Sequence, residues 1–451
     1  MKRLIRILLL FVGLGFMVPL TYWFGVFGIP VWSIPFAVLL LVQGGIAVVR
    51  GKYRFAPPDL FEKAIVVFIV MMTLSTLLHP SVAELGANKL FVYFLSLGLA
   101  VYAKRHFGKT VTMRRLIIFA YLLIVVQFVV CVAQYATQSA IGDVKAYFGT
   151  TNVEDLETGL VQAALGIGRV AGTLGGSPNL LGRAIVIFVP FVAVSGAVFP
   201  GSKNRPLHYV GQRVVLAIAV IVVVMTVSRS SLAVLLLLAV LAGLRRTGAL
   251  ARLMSFFYTT RQRLVSRTLL FAVVGVLLMV AFSSSQFRDS AGETVQTVQI
   301  RVEQIGGVAS GVAAANPLED RLLLNIGAIK MFLDGPIILG KGYHNTLGVA
   351  RKTDISGVTR PELRVHNAPF QFLAEGGLFA FLAFSVIVVY PFYLNVSTYP
   401  DWNARDRAFA ASVGSMLLLM QTATTYDSVA LAPLYGLIFG CAVAHGSEHQ
   451  N

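Results

Sequence analysis

Apolar runs of about twenty residues recur along this chain, and every second gap between them is rich in lysine and arginine. A run of that length crosses a hydrocarbon core as a helix, and a bilayer admits only helices or closed barrels because every backbone polar group must be paired. Candidate spans lie near 7–25, 30–49, 63–79, 86–103, 115–138, 182–199, 209–227, 230–244, 268–284, 368–396, 407–425 and 429–445. Hydrophobic residues make up 57% of the chain and charged residues only 13%. A soluble globule, with about a quarter of its residues charged, is excluded. The expected fold is all-α, a polytopic membrane protein of about twelve transmembrane helices.

The placement of charge orients it. Lys2, Arg3 and Arg6, then Arg50, Lys52 and Arg54, then Lys104, Arg105, Lys109, Arg114 and Arg115 fall in alternate gaps. Lys203, Arg205 and Arg213, the group from Arg245 to Arg267, and Arg405 with Arg407 continue the register. By the positive-inside rule these gaps and both termini are cytoplasmic. The first apolar run lacks a convincing small-residue cleavage site and is expected to be retained as helix one. The net charge of +17 is thereby explained by topology and gives no case for nucleic-acid binding. Cys131 and Cys441 both fall inside spans, so neither a disulfide framework nor a thiolate metal cage is indicated.

Residues 214–244 test the parity. One long helix there would put every later basic gap on the wrong side, whereas two helices meeting at Ser228-Arg229-Ser230-Ser231 restore the alternation. The apolar parts, Val214 to Val227 and Leu232 to Leu244, are each about 20 Å long, short of a core of roughly 30 Å. Arg229 is therefore expected below the outer membrane surface.

Two outer connections are long, 139–181 and 285–366. They divide the chain into 1–284, with helices one to nine and the loop 139–181; 285–366, a large, partly helical periplasmic loop before helix ten; and 367–451, with helices ten to twelve. The first loop ends in Gly168-Arg169 and then Gly172-Thr173-Leu174-Gly175-Gly176-Ser177-Pro178-Asn179, running on to Arg183. A glycine-rich turn feeding a helix N-terminus can hold an anion, and it can equally be a plain turn with Asn179 near the cap. In the second loop, Asp320 to Leu333 has helical spacing and stops at Asp334-Gly335-Pro336. Its cations, among them Arg288, Arg301, Arg321, Lys330, Lys341, Arg351, Lys352, Arg360 and Arg364, are dense for an outer loop. Acidic residues nearly balance them, so solvated ion pairs compete with a substrate surface as the explanation.

An arginine within the membrane costs about 2.5–3.5 kcal/mol on insertion scales and usually marks a functional path. Arg229 fits that description, and its fork of donors suits phosphate, although it could also snorkel to the headgroups. His366 precedes Asn367, a plausible N-cap, with Pro369 in the first turn. The positive helix end would favour the neutral imidazole, which can take a proton from a hydroxyl. The bland reading is an interfacial histidine. His344, His79 and His106 have weaker contexts and are read as structural. Asp155 and Glu157 form an Asp-x-Glu pair on the outer side, of the kind that can hold a divalent cation beside phosphates, but such pairs are common in loops and no metal or other cofactor is expected. No Ser-His-Asp set, cysteine nucleophile or Walker loop is evident.

These pieces together resemble the O-antigen ligase and polymerase superfamily, polytopic enzymes acting on polyprenyl-diphosphate-linked glycans. They are Gly172 to Asn179, Ser228-Arg229-Ser230, Arg321 followed by Asp334-Gly335-Pro336 through Gly340-Lys341-Gly342-Tyr343, and His366-Asn367 through Glu375-Gly376-Gly377. The resemblance spans roughly 165–396 and departs from the family mildly, as at Ala380, where a second glycine is usual.

The resemblance implies an inverting, metal-independent glycosyl transfer at the periplasmic face of the bacterial inner membrane. Glycan would leave undecaprenyl diphosphate, the carrier of O-antigen, for a hydroxyl of lipid A-core. His366 would be the general base, and Arg229 and Arg321 would bind the departing diphosphate. Arg169, Arg183, Lys341, Tyr343 and Asn367 are further candidates for substrate binding from the same motifs. A ligase is favoured over protein-glycosylating relatives, which usually extend further at the C-terminus. A polymerase using the same donor is the nearest alternative. A secondary transporter or flippase is a more distant one, since the halves differ and the spans hold almost no acid apart from Glu375.

Overall fold

The computed structural model describes residues 2–17, 21–24, 27–49, 57–108, 111–137, 172–173, 178–199, 205–226, 228–247, 317–355, 364–397, 402–421 and 431–448. In chain order the helices are α1 (Lys2–Met17), α2 (Ser33–Val49), α3 (Leu60–Leu77), α4 (Pro80–His106), α5 (Met113–Thr137), α6 (Pro178–Val198) and α7 (Arg205–Thr226). There follow α8 (Arg229–Arg246), α9 (Pro317–Leu333), the short α10 (Val349–Lys352), α11 (Ala368–Val396), α12 (Ala404–Met420) and α13 (Leu431–Ser447). Each predicted span among the described residues contains a helix; the one at 268–284 lies outside them.

Among the described residues, five helices are long and apolar enough to cross a membrane: Leu60–Leu77, Met113–Gln134, Asn179–Val198, Tyr209–Thr226 and Ala368–Val396. Shorter apolar helices occupy Ile7–Phe16, Ser33–Gln43 and Leu431–Ser447. Ends are set by local chemistry. Asp59 caps α3 by accepting from the Glu62 amide at 3.0 Å, and Asn403 with Asp406 forms a capping box on α12.

The expected first span, 7–25, needs correction. Its helix stops at Met17, and Thr21–Phe24 (β1) pairs antiparallel with Phe27–Pro30 (β2), Thr21 opposite Pro30 and Phe24 opposite Phe27. Pro19 cannot continue a helix, and the aromatic run Tyr22-Trp23-Phe24 is a good strand former, so apolar length there is spent on a hairpin. Among the described residues the helical fold thus carries one small sheet.

The chain divides into two compact units, Met1–Leu238 with Leu324–Asn451, and Ala239–Leu323. Of the second, the described residues are the last turns of α8 and the first of α9. Within the first, α4 packs on α13, α3 on α11, and α6 on α12, α7 and α5. The α4 and α13 backbones meet closely: a Cβ at Gly436 or Gly440 would run into the carbonyl oxygens of Ser96 and Ala100. Paired small positions four apart let helices approach where lipid offers no hydrophobic drive. Pro190, inside α6, leaves that helix short of a backbone donor, and Ser412 of α12 donates to the Ile187 carbonyl nearby at 2.7 Å.

Two contacts fix the sense of α6 against α12. Ser412 meets Ile187, and the Phe409 ring lies 5.4 Å from that of Phe191, so the helices run antiparallel. The C-terminal end of α12 therefore lies at the N-terminal end of α6. Gln421, which caps α12, accepts from Asn367 at 3.2 Å, bringing the start of α11 to the same end.

Candidate active site

Asn367 is the N-cap of α11, accepting from the Phe370 amide at 3.2 Å, with a proline in the first turn as the sequence predicts. His366 stands immediately before this cap, half-buried. It is thus held at the positive end of a helix, where anions are favoured. The Asn367 side chain itself is buried and occupied by its cap and by Gln421, an arrangement that serves positioning.

Helix α11 is broken ten residues further on. Gly377 has φ 76° and ψ −173°, a conformation essentially reserved for glycine. The break diverts backbone carbonyls from helical bonding, and the segment after α9 takes them up. The Lys341 amide donates to Ala374 O at 2.9 Å, Gly342 to Glu375 O at 2.9 Å, and in return Leu378 donates to Ile337 O at 2.8 Å. Approach is so close that a Cβ on Gly340, at φ 66°, would lie 2.6 Å from the Gly377 nitrogen. The two glycine motifs seen in the sequence are therefore halves of one backbone joint. From α3, Ser75 donates to Glu375 O at 2.5 Å and accepts from the Gly342 amide at 3.0 Å, tying a third element in.

At the joint the Glu375 carboxylate is wholly buried. One oxygen accepts from the Thr346 amide at 3.0 Å and the Thr346 hydroxyl at 2.6 Å, the other from Gln371 at 2.9 Å. Arg364 and Lys352 lie close enough to act on it electrostatically. The Arg364 guanidinium rests on the His344 ring, Nη2 being 3.1 Å from Nε2 and closer still to Nδ1. Lys352 donates to both oxygens of Asn345. Beneath lies an aromatic cluster of Phe68, Tyr93, Tyr343, Phe372 and Phe384.

The other predicted residues fall as follows. Arg229 is the first residue of α8 and is exposed, while its neighbours Ser228 and Ser231 are buried and bonded to each other at 2.9 Å. Gly182 packs on that turn, where a Cβ would stand 2.7 Å from Ser231 Oγ, so Arg183, buried near the start of α6, lies beside it. The N-terminal ends of α6, α8 and α11 thus share one end of the first unit. Lys341 is half-buried and donates to Asp334 O at 3.0 Å. Tyr343 is buried with its ring 5.7 Å from Tyr93 and belongs to the packing. Arg321 is exposed on α9 within the second unit. Arg169, Asp155 and Glu157 lie outside the described residues, and among those described no cluster of metal-ligating side chains occurs.

Sequence reasoning passed over Ser75, Thr346 and Gln371, which only the fold brings to Glu375. It also missed Gln127 and Gln134 of α5. Gln134 both accepts from the Gly172 amide at 2.9 Å and donates to its carbonyl at 3.1 Å, and Gln127 does the same for the Thr173 amide and hydroxyl at 2.9 and 2.6 Å. Two glutamines seven apart on an apolar helix were the available signal.

No curated protein matches the chain. Residues 214–385 match the sequence family described as O-antigen ligase, a stretch that begins in α7, holds Arg229, Arg321, Lys341 and His366, and ends beyond the break in α11. With its long apolar helices this is a multi-pass membrane protein, and that stretch of it is similar to the O-antigen ligase family.

Proposed function

We propose that the protein is an O-antigen ligase: an inverting, metal-independent glycosyltransferase that moves glycan from undecaprenyl diphosphate to a hydroxyl of lipid A-core at the periplasmic face of the inner membrane. The observation that carries this reading is His366 at the capped N-terminus of α11, inside the family match and at the end of the unit where α6 and α8 also begin. His366 takes the proton of the acceptor hydroxyl as its oxygen attacks the anomeric carbon. The bond from that carbon to the diphosphate oxygen breaks with inversion, and the electron pair leaves on the diphosphate. Diphosphate is a good leaving group, so one base with cations and helix ends facing the developing charge is a sufficient set. Arg229 and Arg321 supply that stabilisation, with Arg183, Lys341 and Arg169 as further cations.

The test is transfer by purified protein in detergent, with EDTA and without ATP, offering the polyprenyl-linked donor and lipid A-core. A ladder on lipid A-core is expected. Lengthening of the polyprenyl-linked glycan would make the protein a polymerase instead, and no reaction with either acceptor would overturn glycosyl transfer.

A further inference from the structure

Two amide side chains, Gln127 and Gln134, are buried on α5 within the apolar span Met113–Gln134. An amide in such a place is costly unless it is fully bonded. Both serve one short piece of chain that belongs to no helix. Gln134 Oε1 accepts from the Gly172 amide at 2.9 Å, and its Nε2 donates to the Gly172 carbonyl at 3.1 Å. Gln127 Oε1 accepts from the Thr173 amide at 2.9 Å, and its Nε2 donates to the Thr173 hydroxyl at 2.6 Å. Gly172 is matched to this grip: its φ is 61°, and a Cβ there would run into the Gln127 amide oxygen and crowd Leu181.

The glutamines are two turns apart, so Gln127 lies about 10 Å inside the end of the span. Gly172 and Thr173 are thereby held beside the last turns of a membrane-crossing helix, at a depth where irregular backbone persists only inside protein or along a cavity. Helix packing does not call for them there. The Phe119 and Phe188 rings, 5.4 Å apart, and the Tyr121 and Ser195 hydroxyls, bonded at 2.8 Å, already join α5 to α6. With Gly172 against Leu181, these contacts set the two helices antiparallel and put the irregular piece where α6 begins. Just beyond Leu181, Gly182 packs on Ser231, and the buried Arg183 lies beside the turn that carries Arg229.

We propose that Gln127 and Gln134 are positioning residues for the lipid-linked donor: they hold Gly172 and Thr173 as a re-entrant strap that walls the donor's diphosphate end against the starts of α6 and α8. The inference rests on the glycosyl-transfer reading for its substrate. A strap already fixed by side-chain hydrogen bonds loses little freedom when the donor docks, whereas a released one must be ordered at every binding event. The loss on releasing it therefore falls on donor affinity, and leaves the acceptor and the helix packing alone.

The experiment compares the wild type, Gln127→Met, Gln134→Met, Thr173→Val and Thr173→Ser, all full-length in detergent. Methionine keeps the length of glutamine and suits an apolar span, but makes neither hydrogen bond. The measurements are melting temperature, kcat, KM for donor and acceptor, and binding of undecaprenyl diphosphate, which reads donor recognition apart from chemistry. Each methionine variant is expected to weaken undecaprenyl diphosphate binding and raise donor KM by about tenfold, the usual worth of a lost hydrogen bond or two. Melting temperature and acceptor KM should stay near those of the wild type. Thr173→Val gives up a single bond and should lose less, and Thr173→Ser, which keeps the hydroxyl, should recover most of that loss. A lowered melting temperature with donor KM and binding unchanged would make the glutamines structural and overturn the proposal, as would a rise confined to acceptor KM. Should the wild type transfer no glycan, binding still decides: weakened binding in both methionine variants upholds the strap while glycosyl transfer falls, and unaltered binding overturns the strap as well.

Discussion

His366 and Arg229 carry opposite halves of the proposed chemistry, and each occupies a helix start. His366→Ala is expected to lower transfer by about 10²–10⁴-fold, the usual worth of a general base, with abundance and melting temperature intact because the cap is made by Asn367. Full activity in that variant would remove it from the mechanism. Arg229 is exposed while its serine neighbours do the packing, so replacing it spares the turn. Arg229→Ala should lose about 10²–10³-fold in kcat, and Arg229→Lys should recover only part, since an ammonium cannot reproduce the two-pronged grip on a phosphate. Equal rates for Arg229→Lys and wild type would show that point charge alone suffices. Much at this scale can be read without coordinates: Asn367 as a cap and Pro369 in the first turn follow from side-chain chemistry at short range. Tyr343 does not, because a tyrosine beside a glycine motif looks the same whether it faces substrate or packs against Tyr93 some 250 residues earlier.

At the scale of elements, the split between α7 and α8 at Ser228 and the end of α9 before Asp334-Gly335-Pro336 both fall where charge parity and helix-stop residues predict them. The joint between Gly340 and Gly377 escapes a one-dimensional reading, because each glycine is required by the other's backbone. Gly377→Ala is expected to cost of order 1–3 kcal/mol from its backbone conformation, beyond the clash with the Ile338 carbonyl. Activity should fall with it, because Lys341 and Glu375 are both placed by the joint; a fully active, equally stable Gly377→Ala protein would contradict that. Gly440→Leu should separate α4 from α13, an overpacking worth roughly 1–3 kcal/mol, and should lower the melting temperature without altering donor KM in the protein that remains folded. The hairpin after α1 shows the limit of hydropathy, which counts apolar residues and is blind to the kind of backbone that they form.

For the molecule as a whole, alternating charge predicts which ends face the periplasm. The native cysteines, Cys131 and Cys441, are buried and should be silent to thiol reagents, so single exposed cysteines can report sidedness. In spheroplasts a membrane-impermeant maleimide should label Arg351→Cys and leave Arg405→Cys untouched until the membrane is opened. The reverse pattern would invert the molecule and place His366 in the cytoplasm. The break in α11 bears on depth. Beyond Gly377 the helix still has the 19 residues from Leu378 to Val396, about 28 Å of rise, which nearly matches the bilayer's apolar thickness by itself. The stretch from Ala368 to Gly377 is then surplus to anchoring. Under the proposed function it would serve as a ledge standing on a membrane-spanning post, where a water-borne sugar hydroxyl and a lipid-borne diphosphate would meet without either leaving its own solvent.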